Sequence, residues 1–162
     1  MKKISLGIRH GTMFLDHLLI CVIGILPVSA YHLIADPKAP AVPTSPFEMM
    51  PFFVIYFCKD CIGGRSLAKR ILKLAVVDNQ SNRPATSLQT VIRNLFVIVW
   101  PIEVFVSFFN QERRIGDRLA RTKLAFYEPA EKPYKINVLQ LLGAVLLATV
   151  FTFLLIRAFI GL

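Results

Sequence analysis

The stretch VIRNLFVIVWPIEVFVSFF, residues 91–109, decides how this chain is threaded. It is almost as long as the ~20 apolar residues that cross a hydrocarbon core of ~30 Å. It also holds Arg93, Pro101 and Glu103. Trp100-Pro101 divides it into two pieces, each too short to span, and a proline inside a helix removes one backbone hydrogen bond. Two threadings follow: a kinked helix that crosses, or a hairpin that enters and returns by one face. Non-helical backbone survives at membrane depth only where protein packs it or a wet cavity receives it.

The rest of the chain favours the hairpin. Three other apolar runs lie at 13–35, 43–63 and 138–156. Residues 1–12 carry Lys2, Lys3 and Arg9; the loop after the first run carries Lys38; 59–90 carries six Lys or Arg and 110–136 carries seven. Cytoplasmic loops of membrane proteins hold an excess of Lys and Arg. If all four runs crossed, 110–136 would face outward against that bias. If 91–109 returns, residues 59–135 share the cytoplasmic side with the N-terminus and hold 14 of the 19 basic residues.

Composition agrees with a membrane protein. The 162 residues are 55% apolar and 18% charged, with a net charge of +9; an ordinary soluble domain has about 25% charged residues. Such a chain is too apolar for disorder, and three cysteines are too few for a disulfide-stapled module. The basic residues lie between apolar runs, so nucleic acid is not the expected partner. Lys2, Lys3 and Arg9 before the first run also suit a cleavable leader ending at Val28-Ser29-Ala30. Against cleavage stand Asp16 ahead of the apolar stretch and apolar sequence continuing past Ala30.

Local signals order the cytoplasmic segments. Ser66 is placed to cap a short helix on which Arg65, Lys69 and Lys73 share a basic face and Leu67, Ile71 and Leu74 an apolar one, suited to an anionic lipid surface. Residues 74–78 read as a short strand or a helix tail and 122–127 as strand-like, and the two can pair only if both lie on one side. Residues 79–84 are turn chemistry, and Thr86 with Gln89 fits a capping box. Lys59, at the end of the second run, is expected to snorkel to the interface. Ala144 and Ala148 suit close helix packing.

Ionisable residues inside a membrane are functional candidates. Arg9 and Asp16, seven apart, share a helix face but lie ~10.5 Å apart along it, so each needs another partner. Burial favours a protonated carboxyl and a nearby cation favours the carboxylate; an embedded acid can therefore exchange a proton for a cation. Asp16 is best placed for that, the alternative being that it neutralises a buried Arg from elsewhere and fixes helix docking; Glu103 past the Pro101 break is second, since broken helices are where transporters bind ions. Cys58 and Cys61 have the spacing of half a metal site, but no second cysteine pair exists, and the three histidines lack ligand spacing. No metal, cofactor or enzymatic activity is expected.

These residues also carry a resemblance. Arg9-x6-Asp16, then Gly63-Gly64-Arg65-Ser66-Leu67-Ala68-Lys69-Arg70, then Arg93, then Arg113-Arg114-Ile115-Gly116-Asp117-Arg118-Leu119-Ala120-Arg121-Thr122 resemble, in order and spacing, the RDD family of bacterial and archaeal membrane proteins. The resemblance covers about residues 7–127 and leaves 128–162 as a linker and terminal helix. It implies that Arg9, Asp16 and Asp117 are the signature positions, with Gly64, Ser66, Lys69, Arg70, Arg93 and Thr122 on the accompanying pattern. Ala68 and Gly116 depart from the family's usual residues, and cation/proton exchange has been proposed for some members.

The expectation is an all-α polytopic protein of the bacterial inner membrane with a cytoplasmic N-terminus. Three helices span, 91–109 forms a Pro-broken hairpin, and two short strands lie in the cytoplasmic part. Asp117, amid Arg113, Arg114, Arg118 and Arg121, is expected to be an ion-pair hub. The first functional reading is transport of protons and monovalent cations, with a homo-oligomer or membrane partner completing the path. The second is a module that binds a partner or anionic lipid through Arg65, Lys69 and Lys73.

Overall fold

A computed structural model describes residues 4–35, 45–99, 114–127 and 135–160. The described residues form helices α1 (Leu6–Ala35), α2 (Met50–Cys58), α3 (Leu67–Ile71), α4 (Ser87–Leu95), α5 (Ile115–Leu119) and α6 (Val138–Ile160), and strands β1 (Leu74–Asp78) and β2 (Thr122–Phe126). The protein is mostly helical. α1, with 30 residues, and α6, with 23, are long and apolar enough to cross a membrane. The second expected span carries only nine helical residues, fewer than the ~20 a crossing needs, with turns on either side at 46–49 and 59–64.

α1, and in part α4, turn polar residues inward. On α1 the buried residues are Arg9, Thr12 and Asp16, while Phe14, Leu18, Val22 and Leu26 are exposed. On α4 Ser87, Thr90, Arg93 and Asn94 are buried beside Val91, while Leu88 and Ile92 face outward. A soluble helix buries its apolar stripe instead. Polar groups facing in and apolar groups facing out is the arrangement a hydrocarbon solvent favours.

α6 packs by a stripe of small residues. Ala144, Ala148, Thr152 and Ile156, each four apart, are buried, and Ala144 and Ala148 meet Phe57, Cys61 and Val91 in the main apolar cluster. Without side-chain bulk at these positions, the α2 and α4 side chains come close to the α6 backbone. The Thr152 hydroxyl donates to the Ala148 carbonyl at 2.8 Å, so its burial leaves no bare polar group.

β1 and β2 pair antiparallel, Leu74 opposite Phe126 and Asp78 opposite Thr122. Residues 79–121 therefore leave and rejoin the sheet at the same end. α4 opens with the capping box expected at Thr86: Gln89 N–H donates to Thr86 Oγ1 at 3.3 Å and Thr86 N–H to Gln89 Oε1 at 3.0 Å. After Leu95 the helix tightens into a 3-10 turn, Phe96–Val99. The Trp100-Pro101 break, Glu103 and Arg113 lie outside the described residues.

The expected basic face of Arg65, Lys69 and Lys73 does not form. α3 has five residues, so Arg65 and Lys73 fall outside it. Arg65 donates to the Leu74 carbonyl at 3.2 Å and lies 3.7 Å over the Tyr127 ring. Lys73 is exposed at a left-handed turn, φ 52°. Lys69 points inward, and Leu67 and Ile71 point out.

Candidate functional site

Where α1, α3, α4, α5 and the turn after α2 meet, six charged residues form one buried line of alternating sign. Asp16 Oδ2 accepts from the Lys69 ammonium at 2.8 Å, and the same nitrogen lies 2.9 Å from Asp60 Oδ1. Asp60 Oδ2 lies 3.4 Å from Arg93 Nη1, and Arg93 Nε donates to Asp117 Oδ1. Arg114 Nε ends the line 3.7 Å from Asp117 Oδ2. Every member is at least nine-tenths buried.

Local folding sets each side chain. Ser66 caps α3 by accepting the Lys69 N–H at 3.3 Å, and its own N–H donates to Asp60 Oδ1 at 2.9 Å. Cap and acid therefore fix one another, and the Lys69 ammonium meets Asp16, Asp60 and the Ser66 hydroxyl, the last at 3.1 Å. Asn94, one residue after Arg93, donates to both the Phe57 carbonyl, at 3.0 Å, and Asp60 Oδ2, at 3.3 Å. That seats α4 on the end of α2. Asp117 is the third residue of α5 and accepts the Arg114 N–H at 3.3 Å, a placement the helix dipole favours. Thr122 Oγ1 adds a bond at 3.4 Å from the start of β2.

Burial alone would push the Asp117 carboxyl up, but Arg93, Arg114 and Arg9 outweigh it and hold the group down at about 2 against an ordinary 3.8. A folded-state value below the unfolded one stabilises above the unfolded value and is lost as pH falls through the folded one. Between pH 4 and 2 the protein is expected to lose about 2 kcal/mol from this carboxylate. Melting in mild detergent across that range should show a steeper fall for wild type than for Asp117→Asn; parallel curves would refute the assignment.

The structure brings Asp16, Lys69, Arg93, Asp117 and Thr122 together as direct partners, with Arg9 near Asp117. Gly64 and Arg70 are not members of the line: the Arg70 guanidinium is exposed and donates to the Ile62 carbonyl at 3.3 Å. Two expectations need correction. Asp117 does not gather Arg118 and Arg121, which lie on the exposed side of α5 and of the turn after it; its partners come from α4 and from the residue before α5. Lys59 does not snorkel. Its side chain is nine-tenths buried, its nitrogen 4.0 Å from Asp16 and 4.0 Å from the centre of the Tyr56 ring.

Asp60, the middle of the line, is the residue that sequence reasoning missed. Its one signal was an acid beside Lys59 at the end of an apolar run. Cys58 and Cys61, which bracket it, are free thiols; Cys61 Sγ donates to the Ser87 carbonyl at 3.7 Å and receives the Thr90 hydroxyl at 3.6 Å. Among the described residues no group of three or more metal-ligating side chains occurs.

Two helices long and apolar enough to cross a membrane, one of them with its apolar side chains turned outward, point to a membrane protein. The chain belongs to the RDD family, whose model matches residues 4–158. The match runs beyond the motifs at 7–127 and takes in α6, which is therefore part of the family's unit. No curated protein and no solved structure matches the chain.

Proposed function

We propose that this protein is a transporter, or a transport component, of the bacterial inner membrane, exchanging protons for monovalent cations at Asp16. One observation carries the reading: the Lys69 ammonium sits between two carboxylates, 2.8 Å from Asp16 and 2.9 Å from Asp60. A small swing toward Asp60 frees Asp16 without leaving Lys69 unpaired. The freed acid can then hold either a proton or a cation, so that Asp16–COOH plus M⁺ gives Asp16–COO⁻·M⁺ plus H⁺. Charge balances at each step. The pairing of β1 with β2 supports a threading in which residues 79–121 enter and leave by the cytoplasmic face, where the N-terminus also lies. Two long helices enclose little space, so a second copy or another membrane protein completes the path.

Everted vesicles with a quenched pH dye test this. Addition of Na⁺, K⁺ or Li⁺ should dequench the dye with wild type. Asp16→Asn, present at equal level in the membrane, should fall to the signal of empty vesicles. A wild-type trace no higher than empty vesicles for all three ions would refute exchange of those ions.

The basic-face alternative has less support. Lys69 is taken up by Asp16 and Asp60, and Arg65 by Tyr127 and the Leu74 carbonyl.

A further inference from the structure

Between α1 and α2 lies a cleft of about 230 Å³, and its two ends differ in chemistry. Its walls are Leu19, Ile20 and Ile23 of α1 and Phe52 and Ile55 of α2. At one end α1 and α2 close on each other: a Cβ added at Gly24 would stand 2.7 Å from the Phe52 ring. At the other end are Asp16 and Lys59, with Ser66 and Leu67 at the start of α3. From Asp16 to Gly24 the helix rises ~12 Å, so the cleft is a slot for one short length of hydrocarbon with charge at its mouth.

The two charges at the mouth are not equivalent. Asp16 is satisfied, because Lys69 is bonded to it at 2.8 Å. Lys59 is not. Its side chain is nine-tenths buried, its closest carboxylate oxygen is 4.0 Å away and already engaged by Lys69, and its other neighbour is the face of Tyr56. An ammonium has three N–H donors, and its long ion pair with Asp16, at 4.0 Å, gives it no hydrogen bond there. Neither neighbour supplies an acceptor within hydrogen-bonding distance. The cleft thus offers hydrocarbon walls and, at the mouth, a cation in want of an anionic oxygen.

We propose that this cleft holds one acyl chain of an anionic membrane phospholipid, with the lipid phosphate on the Lys59 ammonium. The chain lies along Leu19, Ile20 and Ile23 and stops where Gly24 meets Phe52. Binding completes Lys59 and fills the cleft. The assignment goes beyond the exchange reading, which makes no use of Lys59, and it stands whether or not ions move.

The test uses the full-length protein in phosphatidylcholine nanodiscs with a trace of a diazirine-bearing lipid, either phosphatidylglycerol or phosphatidylcholine. Cross-links are mapped by mass spectrometry. Labelling at 19–24 and 52–55 should favour the anionic probe by about tenfold, the scale of one charge-assisted hydrogen bond. Lys59→Gln should abolish that preference and Lys59→Arg should keep it. Ile20→Trp, which fills the slot and leaves every charge in place, should remove the label itself. Equal labelling by the two lipids, or an anionic preference that survives Lys59→Gln, would overturn the proposal. So would labels spread evenly along α1 and α6. Displacement of the label by inorganic phosphate would make Lys59 a site for a free anion and reject the lipid.

Discussion

Asp60→Ala is expected to cost 3–5 kcal/mol of stability, the range found when one partner of a buried ion pair is removed, and to reduce folded protein in the membrane severely. The carboxylate receives four groups from two segments: the Ser66 N–H and the Lys69 ammonium from α3 and its cap, and the Arg93 guanidinium and the Asn94 amide from α4. Without it Lys69 and Arg93 face each other across an empty site. Lys69 keeps Asp16 as its carboxylate and Arg93 keeps Asp117, so the line breaks into two halves with excess positive charge between them. Because small domains are stable by only about 5–15 kcal/mol, this is a large share of the whole. Asp60→Asn retains the acceptor for Ser66 and should fall between the alanine variant and wild type. Arg118→Ala, exposed and outside the line, should move the melting point by no more than the ~0.5 kcal/mol typical of surface changes. Fluorescence-detected size exclusion with a thermal ramp reads all three, and an Asp60→Ala protein melting with wild type would show that the line does not hold the fold.

That result bears on what the amino-acid order reveals. The long helices were legible, because 13–35 and 138–156 are uniform apolar runs, and they lie within α1 and α6. The caps at Ser66 and Thr86 were legible because capping is read over three residues. So was the shared face of Arg9 and Asp16, which needs only helical period. The strand pair was legible as composition, but its register depends on where 79–121 returns. Asp60 was not legible as a centre, since its partners at 66, 69, 93 and 94 are gathered by tertiary packing alone. Lys69 was misread for a related reason. A four-residue spacing from Arg65 to Lys73 defines a face only on a helix that includes all three, and α3 stops at Ile71. The motif that carried the family resemblance thus marks the ion-pair line, although nothing in the motif says which residues touch.

Gly64→Ala is expected to be nearly as damaging as loss of Asp60, although it removes no charge. Gly64 has φ +68°, a left-handed conformation, which costs an L-residue roughly 1–2 kcal/mol. The larger effect is steric: a Cβ there would stand 2.3 Å from the Val76 carbonyl oxygen. That oxygen cannot retreat, because it accepts the Ala85 N–H at 3.0 Å, while the Val76 N–H donates to the Gly64 carbonyl at 2.8 Å. The turn or the strand must give way, and forcing atoms into a packed site typically costs a further ~1–3 kcal/mol. Displacement of Gly64 moves Ser66 two residues on, and with it the N–H that holds Asp60 and the cap that aims Lys69. A backbone change should therefore act as a charge-network change. The expected signature is a melting loss in Gly64→Ala that shrinks when Asp60→Asn is already present, because both act on one network. Gly11→Ala is the matching control: it lies in α1 with nothing within 4 Å of the added Cβ, and by helix propensity it should stabilise by up to ~1 kcal/mol. Fully additive losses for Gly64→Ala and Asp60→Asn would separate the turn from the ion-pair line and leave Gly64 with a role in strand packing only.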